Sequence, residues 1–261
     1  MTKTEAIKKL IEIMATLRSP DGCPWDRQQT HKSLKPYLIE EAFEVLDAID
    51  SDNPQKLKEE LGDLLLHIVF HAQMAEEARK FNISDIANAI SDKLIKRHPH
   101  VFGDKKNVTT SEDVLSNWEH IKAETSEEKK YYVLNGLPNS MPALLKAYRI
   151  QEKVARFGFD WSNPIEILDK LDEERSELRE AIQNGNITDI ENELGDLLFT
   201  VVNISRHFNI YPAGALNSTS EKFRERFRLM EDYIMEDGKK LGSLRLDELD
   251  VYWDKAKKTI K

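Results

Sequence analysis

The sequence predicts an all-α protein made of two tandem helical bundles. Apolar residues recur at helical spacing in segment after segment, and no strand-like alternation competes with them. One pattern also occurs twice: Glu40-Glu41-Ala-Phe-Glu44 followed by Glu60-Leu-Gly-Asp63 returns as Glu173-Glu174-Arg-Ser-Glu177 followed by Glu193-Leu-Gly-Asp196, every acidic position shifted by 133 residues. Aligned without a gap, residues 37–70 match 170–203 at 14 of 34 positions. With only 10 Gly and 9 Pro in 261 residues, breakers are few and the helices should be long.

The elements follow in order. Ile7, Leu10, Ile11, Met14 and Leu17 give residues 4–18 one apolar face, and Ser-Pro-Asp-Gly-Cys-Pro at 19–24 ends that helix. Helices are predicted at 34–50 and 55–79, joined by Ser51-Asp-Asn-Pro54, whose proline suits a first helical turn. A helix at 84–97 starts from Ser84 as cap and stops at His98-Pro99-His100, where the histidines shape a turn or an interdomain contact. A short helix surrounds Trp118. The charged run Ala123–Lys130 and the turn Asn135-Gly-Leu-Pro138 mark the boundary, which gives an N-terminal domain at 1–124, a linker at 125–140 and a C-terminal domain at 141–261. The order then repeats: a helix at 141–156, the aromatic turn Phe157-Gly-Phe-Asp-Trp161, and a helix at 164–183. After the turn Asn184-Gly-Asn186 come helices at 187–208 and 213–236.

Composition narrows the function. A net charge of −9 with basic residues scattered among acids disfavours a nucleic-acid partner. No apolar leader opens the chain and no segment reaches the roughly 20 apolar residues of a membrane span, so a cytoplasmic protein without a membrane partner is expected. The single cysteine, Cys23, excludes an intrachain disulfide and thiolate zinc clusters, and reads as a packed thiol.

The acidic motif carries the chemistry. Residues three apart share a helix face, so Glu41 projects with Glu44 and Glu60 with Asp63. Glu44 lies eight residues before Asp52 and Glu60 eight after it, about 12 Å along each arm of a hairpin, so the two pairs meet at one level. Glu177 and Glu193 repeat this symmetry about Gly185. Carboxylates crowded this way repel one another without a cation. As hard oxygen ligands they favour Mg2+, with Mn2+ possible, and magnesium reaches a substrate through phosphate oxygens. Gly62 and Gly195 stand inside helices, marking either close packing or room for a ligand. Lys93 with Arg97, and Lys222 with Arg226, place two cations on one face in each copy, as phosphate partners or as ordinary surface charge. Trp118 and Trp253, each followed four residues later by a lysine (Lys122 and Lys257), offer either a stacking surface for a base or a buried structural ring.

Together with the Cys23-Pro-Trp-Asp26 turn and the His98-Pro-His-Val-Phe102 segment, the doubled motif resembles the MazG family of tandem-domain nucleoside triphosphate pyrophosphohydrolases over nearly the whole chain. The acidic motif is shared by the wider all-α NTP pyrophosphatase superfamily, whereas those two segments are specific to full-length members. The resemblance implies two MazG-type bundles entwined in a homodimer. It also implies magnesium-dependent hydrolysis of nucleoside triphosphates to monophosphate and diphosphate, with broad tolerance of base and sugar and a role in nucleotide-pool housekeeping. By the same resemblance Glu174, Glu177, Glu193 and Asp196 are metal ligands. Nucleotide contacts fall at Lys170, Leu171, Asp172, Glu173 and Glu174, at Asp189, Ile190, Glu191 and Asn192, at Asp196, at Lys222 and Arg226, and at Trp253. Glu41, Glu44, Glu60 and Asp63 form the N-terminal copy of the metal site, with Lys93, Arg97 and Trp118 as the matching contacts. Glu173 is the candidate general base, and Lys222 and Arg226 would offset charge on the leaving group. The C-terminal domain is expected to be the catalytic one, since Lys170 and Asn203 give it polar groups where the first copy has Tyr37 and Phe70.

Two rival readings are a nucleotide-binding regulatory scaffold and a di-iron carboxylate bundle, the latter prompted by His67 and His71 after Asp63. In the second copy Thr200 and Ile204 replace the histidines, which favours a packing role for His67 and His71.

Overall fold

The structure, a computed structural model, describes residues 1–104, 110, 113–114, 117–118, 121 and 132–260. The expected boundary run Ala123–Lys130 and Lys122 lie outside the described residues. Among those described there are eleven α-helices and no strand, and the chain divides into two compact units, Met1–Trp118 and Glu119–Lys261.

In the first unit, α1 (Lys3–Arg18) opens on a reciprocal cap between Thr2 and Glu5. The short helix α2 (Pro24–Gln28) follows, then α3 (Lys35–Asp50) and α4 (Pro54–Glu77) as a hairpin. The turn works because Asp52 takes a left-handed backbone (φ 48°), a region that aspartate tolerates, and because the Asn53 side chain accepts from the amides of Gln55 and Lys56. Packing of α1 on α4 builds a core in which Met14, Leu34, Val69, Phe70 and Met74 are buried. Arg18 closes that core with a two-pronged ion pair to Glu77, 2.9 Å from Nε and 2.8 Å from Nη2, and its guanidinium lies 5.4 Å from the centre of the Phe70 ring. The hydrogen bonds from Arg18 hold the Glu77 carboxyl below its usual range. α5 (Ile83–Arg97) and α6 (Pro99–Phe102) follow; of the short helix expected around Trp118, Asp113, Val114, Asn117 and Trp118 are helical and the residues between them lie outside the described ones.

The second unit begins with α7 (Ala143–Ala155) and continues into a second hairpin, α8 (Pro164–Asn184) and α9 (Ile187–His207). Here the left-handed pivot is Gly185 (φ 70°), in register with Asp52, and Asn186 caps α9 through the Thr188 amide. α10 (Pro212–Glu236) packs against α11 (Leu246–Thr259), burying Met230, Ile234, Tyr252 and Ala256.

Three features differ from the sequence reading. Asn82, not Ser84, caps α5: its side chain accepts from the amides of Ser84 and Asp85, and Asp85 returns a bond to the Asn82 amide. The helices α2 and α6, five and four residues long, are too short to show a period and start from prolines that read as stops. α11 was also missed, because its sparse stripe of Leu249, Tyr252 and Ala256 lies among charges. No helix among the described residues is long and apolar enough to cross a membrane.

Candidate functional site

Each hairpin gathers carboxylates from its two arms. Glu41, Glu44 and Glu60 offer oxygens that all lie within 4.8 Å of one another, as do Glu174, Glu177 and Glu193. The level meeting expected from equal arm lengths is therefore present in both units. Asp63 and Asp196 stand outside these triads, though close enough for their charges to act on Glu41 and Glu193 respectively.

Desolvation, and after it mutual repulsion, governs the electrostatics. Loss of solvent around Glu41, followed by the charges of Asp63 and Glu44, raises its carboxyl above the ordinary value, and its Oε2 is buried with no hydrogen-bond partner. Glu60 is raised by desolvation and then by Glu44, and Glu193 by desolvation and then by Glu177 and Asp196. Each triad thus holds more negative charge than its surroundings balance. A hard divalent cation fits such an all-oxygen donor set, and the orphaned Oε2 of Glu41 gives it an open acceptor to satisfy.

The second triad has a directly paired cation, while in the first the charge of Lys56 acts on Glu60. Glu174 is 5% exposed, and Lys170 Nζ lies 2.8 Å from both Glu174 and Glu173. Those two carboxylates raise the Lys170 amine well above its usual value. Tyr37 occupies the matching place in the first unit, where no ammonium can do this.

The remaining expected contacts divide. Asp189 accepts from Asn186 Nδ2 at 2.7 Å, so it helps fix the start of α9, and its charge reaches Glu193. Leu171 and Ile190 are half-buried, while Asp172, Glu191 and Asn192 are exposed, Asp172 with Arg175 3.2 Å away. Lys222 is exposed on α10, whereas half-buried Arg226 donates through Nε to the Ile260 carbonyl at 3.1 Å. Trp253 packs in the α10/α11 cluster with its ring 4.9 Å from Phe223, and Lys257 pairs with Asp254 at 2.8 Å. In the first unit Lys93 is exposed, Arg97 half-buried, and Trp118 lies edge-on to His98 at 5.1 Å.

A Cβ built on Gly62 or Gly195 meets nothing within 4 Å, so packing within the described chain does not account for either glycine. The histidines join neither triad. Buried His67 has its imidazole lowered by desolvation, and His71 stacks on His31 with Nδ1 atoms 2.8 Å apart. The reading missed Gln151, Asp160 and Arg206, which line a cavity of about 520 Å³ in the second unit together with Asn203. The signals for it were the Phe-Gly-Phe-Asp-Trp run, which supplies part of its lining, and Asn203 itself.

The MazG nucleotide pyrophosphohydrolase domain matches at residues 29–102 and again at 162–228, once over each acidic hairpin. A Thermotoga maritima protein named nucleoside triphosphate pyrophosphohydrolase/pyrophosphatase MazG is 48% identical over 250 residues, covering 96% of this chain and 95% of its own. The Escherichia coli nucleoside triphosphate pyrophosphohydrolase is 42% identical over 258 residues, 97% of each chain. A Mycolicibacterium smegmatis protein of the same name is 31% identical over 255 residues, 97% of this chain and 71% of its own. With the domain found on both hairpins and the first two relatives aligned almost end to end, the chain belongs to the MazG nucleotide pyrophosphohydrolase family.

Proposed function

We propose that the chain hydrolyses nucleoside triphosphates to monophosphate and pyrophosphate, with Glu174, Glu177, Glu193 and Asp196 holding magnesium. The observation that carries this reading is the pair of carboxylate triads, each within 4.8 Å, inside the two family-matched hairpins. A magnesium ion bound there would neutralise triphosphate charge and lower the pKa of an attacking water.

The protein's own groups do the rest. Glu173, held by Lys170, is the carboxylate we assign to take the proton of the water as its oxygen bonds to the α-phosphorus. The bond from that phosphorus to the bridging oxygen breaks, and pyrophosphate leaves with the bonding electrons. Lys222 and Arg226 offset its charge, the Arg226 guanidinium being steadied by the Ile260 carbonyl. Lys170 would leave Glu174 as the cation arrives and become available to a phosphate oxygen. With magnesium, several triphosphates should each yield equal amounts of monophosphate and pyrophosphate, and EDTA should reduce both to background. Orthophosphate as the product, or turnover indifferent to EDTA, would reject the assignment.

An entwined homodimer is part of the same proposal. Leu194, Leu198 and Val201 form a stripe on α9 and are 46%, 50% and 43% exposed, an apolar face that a second copy would cover. Sedimentation equilibrium should return twice the chain mass; a monomer across micromolar concentrations would refute pairing.

A further inference from the structure

We propose that Lys170 is a built-in substitute for the metal: it holds the second triad neutralised between turnovers and yields Glu174 only when a triphosphate is there to receive its ammonium. Metal and triphosphate then load together in the second unit, whereas the first triad takes up metal alone. The inference rests on the triphosphate reading above and concerns how that same site is filled.

The two copies differ at one matched carboxylate. Glu41 and Glu174 correspond across the 133-residue repeat, and each is one of three acids whose oxygens gather within 4.8 Å. At 5% exposure Glu174 has little water to balance its charge, and Lys170 Nζ lies 2.8 Å from it while holding Glu173 at the same distance. Glu41 is left differently: its Oε2 is buried without a hydrogen-bond partner. Tyr37 takes the place of Lys170, its ring edge-on to Trp25 at 6.2 Å, and the charge of Lys56 acts on Glu60 from the other arm of the hairpin.

A cation entering the second triad must therefore displace an ammonium from Glu174. A hydrogen bond between charged partners shifts an equilibrium by about tenfold or more, so the exchange weakens metal binding by about that factor. Lysine keeps its proton at neutral pH, so deprotonation does not free the site. The remaining route is a new anion. The Lys170 side chain is 33% exposed on α8, which lets its ammonium swing from Glu174 to a phosphate oxygen. Whichever ligand draws Lys170 away from Glu174 helps the other to bind, and that coupling is reciprocal.

The test titrates Mn2+ into the full chain without nucleotide and reads the free ion by electron paramagnetic resonance. With the first triad weakened by Glu60→Gln, adding Lys170→Met should tighten Mn2+ binding at least tenfold, while Lys170→Arg, which keeps the cation, should leave it within threefold. With the second triad weakened by Glu193→Gln, the first should still bind Mn2+, and adding Tyr37→Lys should weaken that binding at least fivefold. Glu40 and Glu41 stand at i+3 and i+4 from Tyr37 as Glu173 and Glu174 do from Lys170, and Tyr37 is 43% exposed, so the exchange leaves the core untouched. Coupling is read with an α,β-methylene triphosphate, which resists cleavage between those phosphorus atoms. The factor by which magnesium tightens its binding should shrink at least tenfold in Lys170→Met; complexation of the analogue by free magnesium is common to both proteins and cancels. Mn2+ affinity unchanged by Lys170→Met in a folded chain, or by Tyr37→Lys, overturns the proposal, as does an undiminished coupling factor or a first triad that binds no Mn2+. If Lys170→Met fails to fold, Tyr37→Lys carries the test. Tighter Mn2+ binding in Lys170→Met, in a protein whose wild type hydrolyses no triphosphate, would instead reject the triphosphatase reading and leave the exchange of Lys170 for metal standing.

Discussion

Glu193→Gln in the full chain is expected to lower pyrophosphate release about a thousandfold, while Glu60→Gln leaves at least half of it. Glu193 is one of three carboxylates within 4.8 Å, and the amide removes a charge and an anionic oxygen while keeping the shape. A thousandfold loss corresponds to about 4 kcal/mol of barrier, the scale of charge stabilisation that a metal site supplies. Glu60 occupies the same place in the other triad, but that unit has Tyr37 where Lys170 pairs with Glu174, and Phe70 where Asn203 lines a cavity. The comparison is made by following pyrophosphate release at saturating magnesium, with thermal unfolding as the check on folding. Both variants relieve repulsion among carboxylates, so neither should unfold at a lower temperature. Unchanged turnover in Glu193→Gln would end the site assignment. Equal losses in the two variants would instead divide catalysis between the units.

The triads were legible in the sequence because they depend on short-range geometry. Three-residue spacing puts Glu41 with Glu44, and equal distances from Asp52 or Gly185 bring the second arm to the same level. The pivots were legible too, since each hairpin reverses through a residue able to take a left-handed backbone beside an asparagine cap. What escaped depends on contacts distant in sequence. Gln151 reads as an ordinary polar position on an amphipathic helix; only the packing of α7 against α9 buries it and sets its amide against the Phe199 carbonyl, 48 residues away. Arg206 and Asp160 are likewise 46 residues apart. The resemblance makes Lys170 a nucleotide contact, and its i,i+3 and i,i+4 pairing with Glu173 and Glu174 was also there in the spacing. Trp118 and Trp253 share their spacing to a lysine; Trp253 packs on Phe223 and Lys257 pairs with Asp254, whereas Lys122 lies outside the described residues.

Phe70→Asn, which gives the first unit the residue of the second, is expected to unfold that unit under conditions where the wild type is stable. Phe70 is 3% exposed among Met14, Leu34, Val69 and Met74, beneath the Arg18 guanidinium. Losing the ring and leaving a cavity costs about 3 to 5 kcal/mol. Setting an amide among apolar side chains adds about 1 to 3 kcal/mol, less whatever a bond from the Arg18 guanidinium recovers. The sum approaches the whole stability of an ordinary domain, about 5 to 15 kcal/mol. At the matching site in the second unit, Asn203→Ala should cost less than about 1 kcal/mol, because the side chain is half-buried at the wall of an open cavity. Urea unfolding followed by far-UV circular dichroism separates the two. Phe70→Asn should show a new transition at low urea with roughly the amplitude of one unit, and a midpoint within error of wild type would contradict the core assignment. The same position in a duplicated helix thus sits in a sealed core in one copy and lines an open cavity in the other. A duplicated fold can diverge in this way because one copy keeps a sealed core while the other trades a buried ring for a polar, open slot.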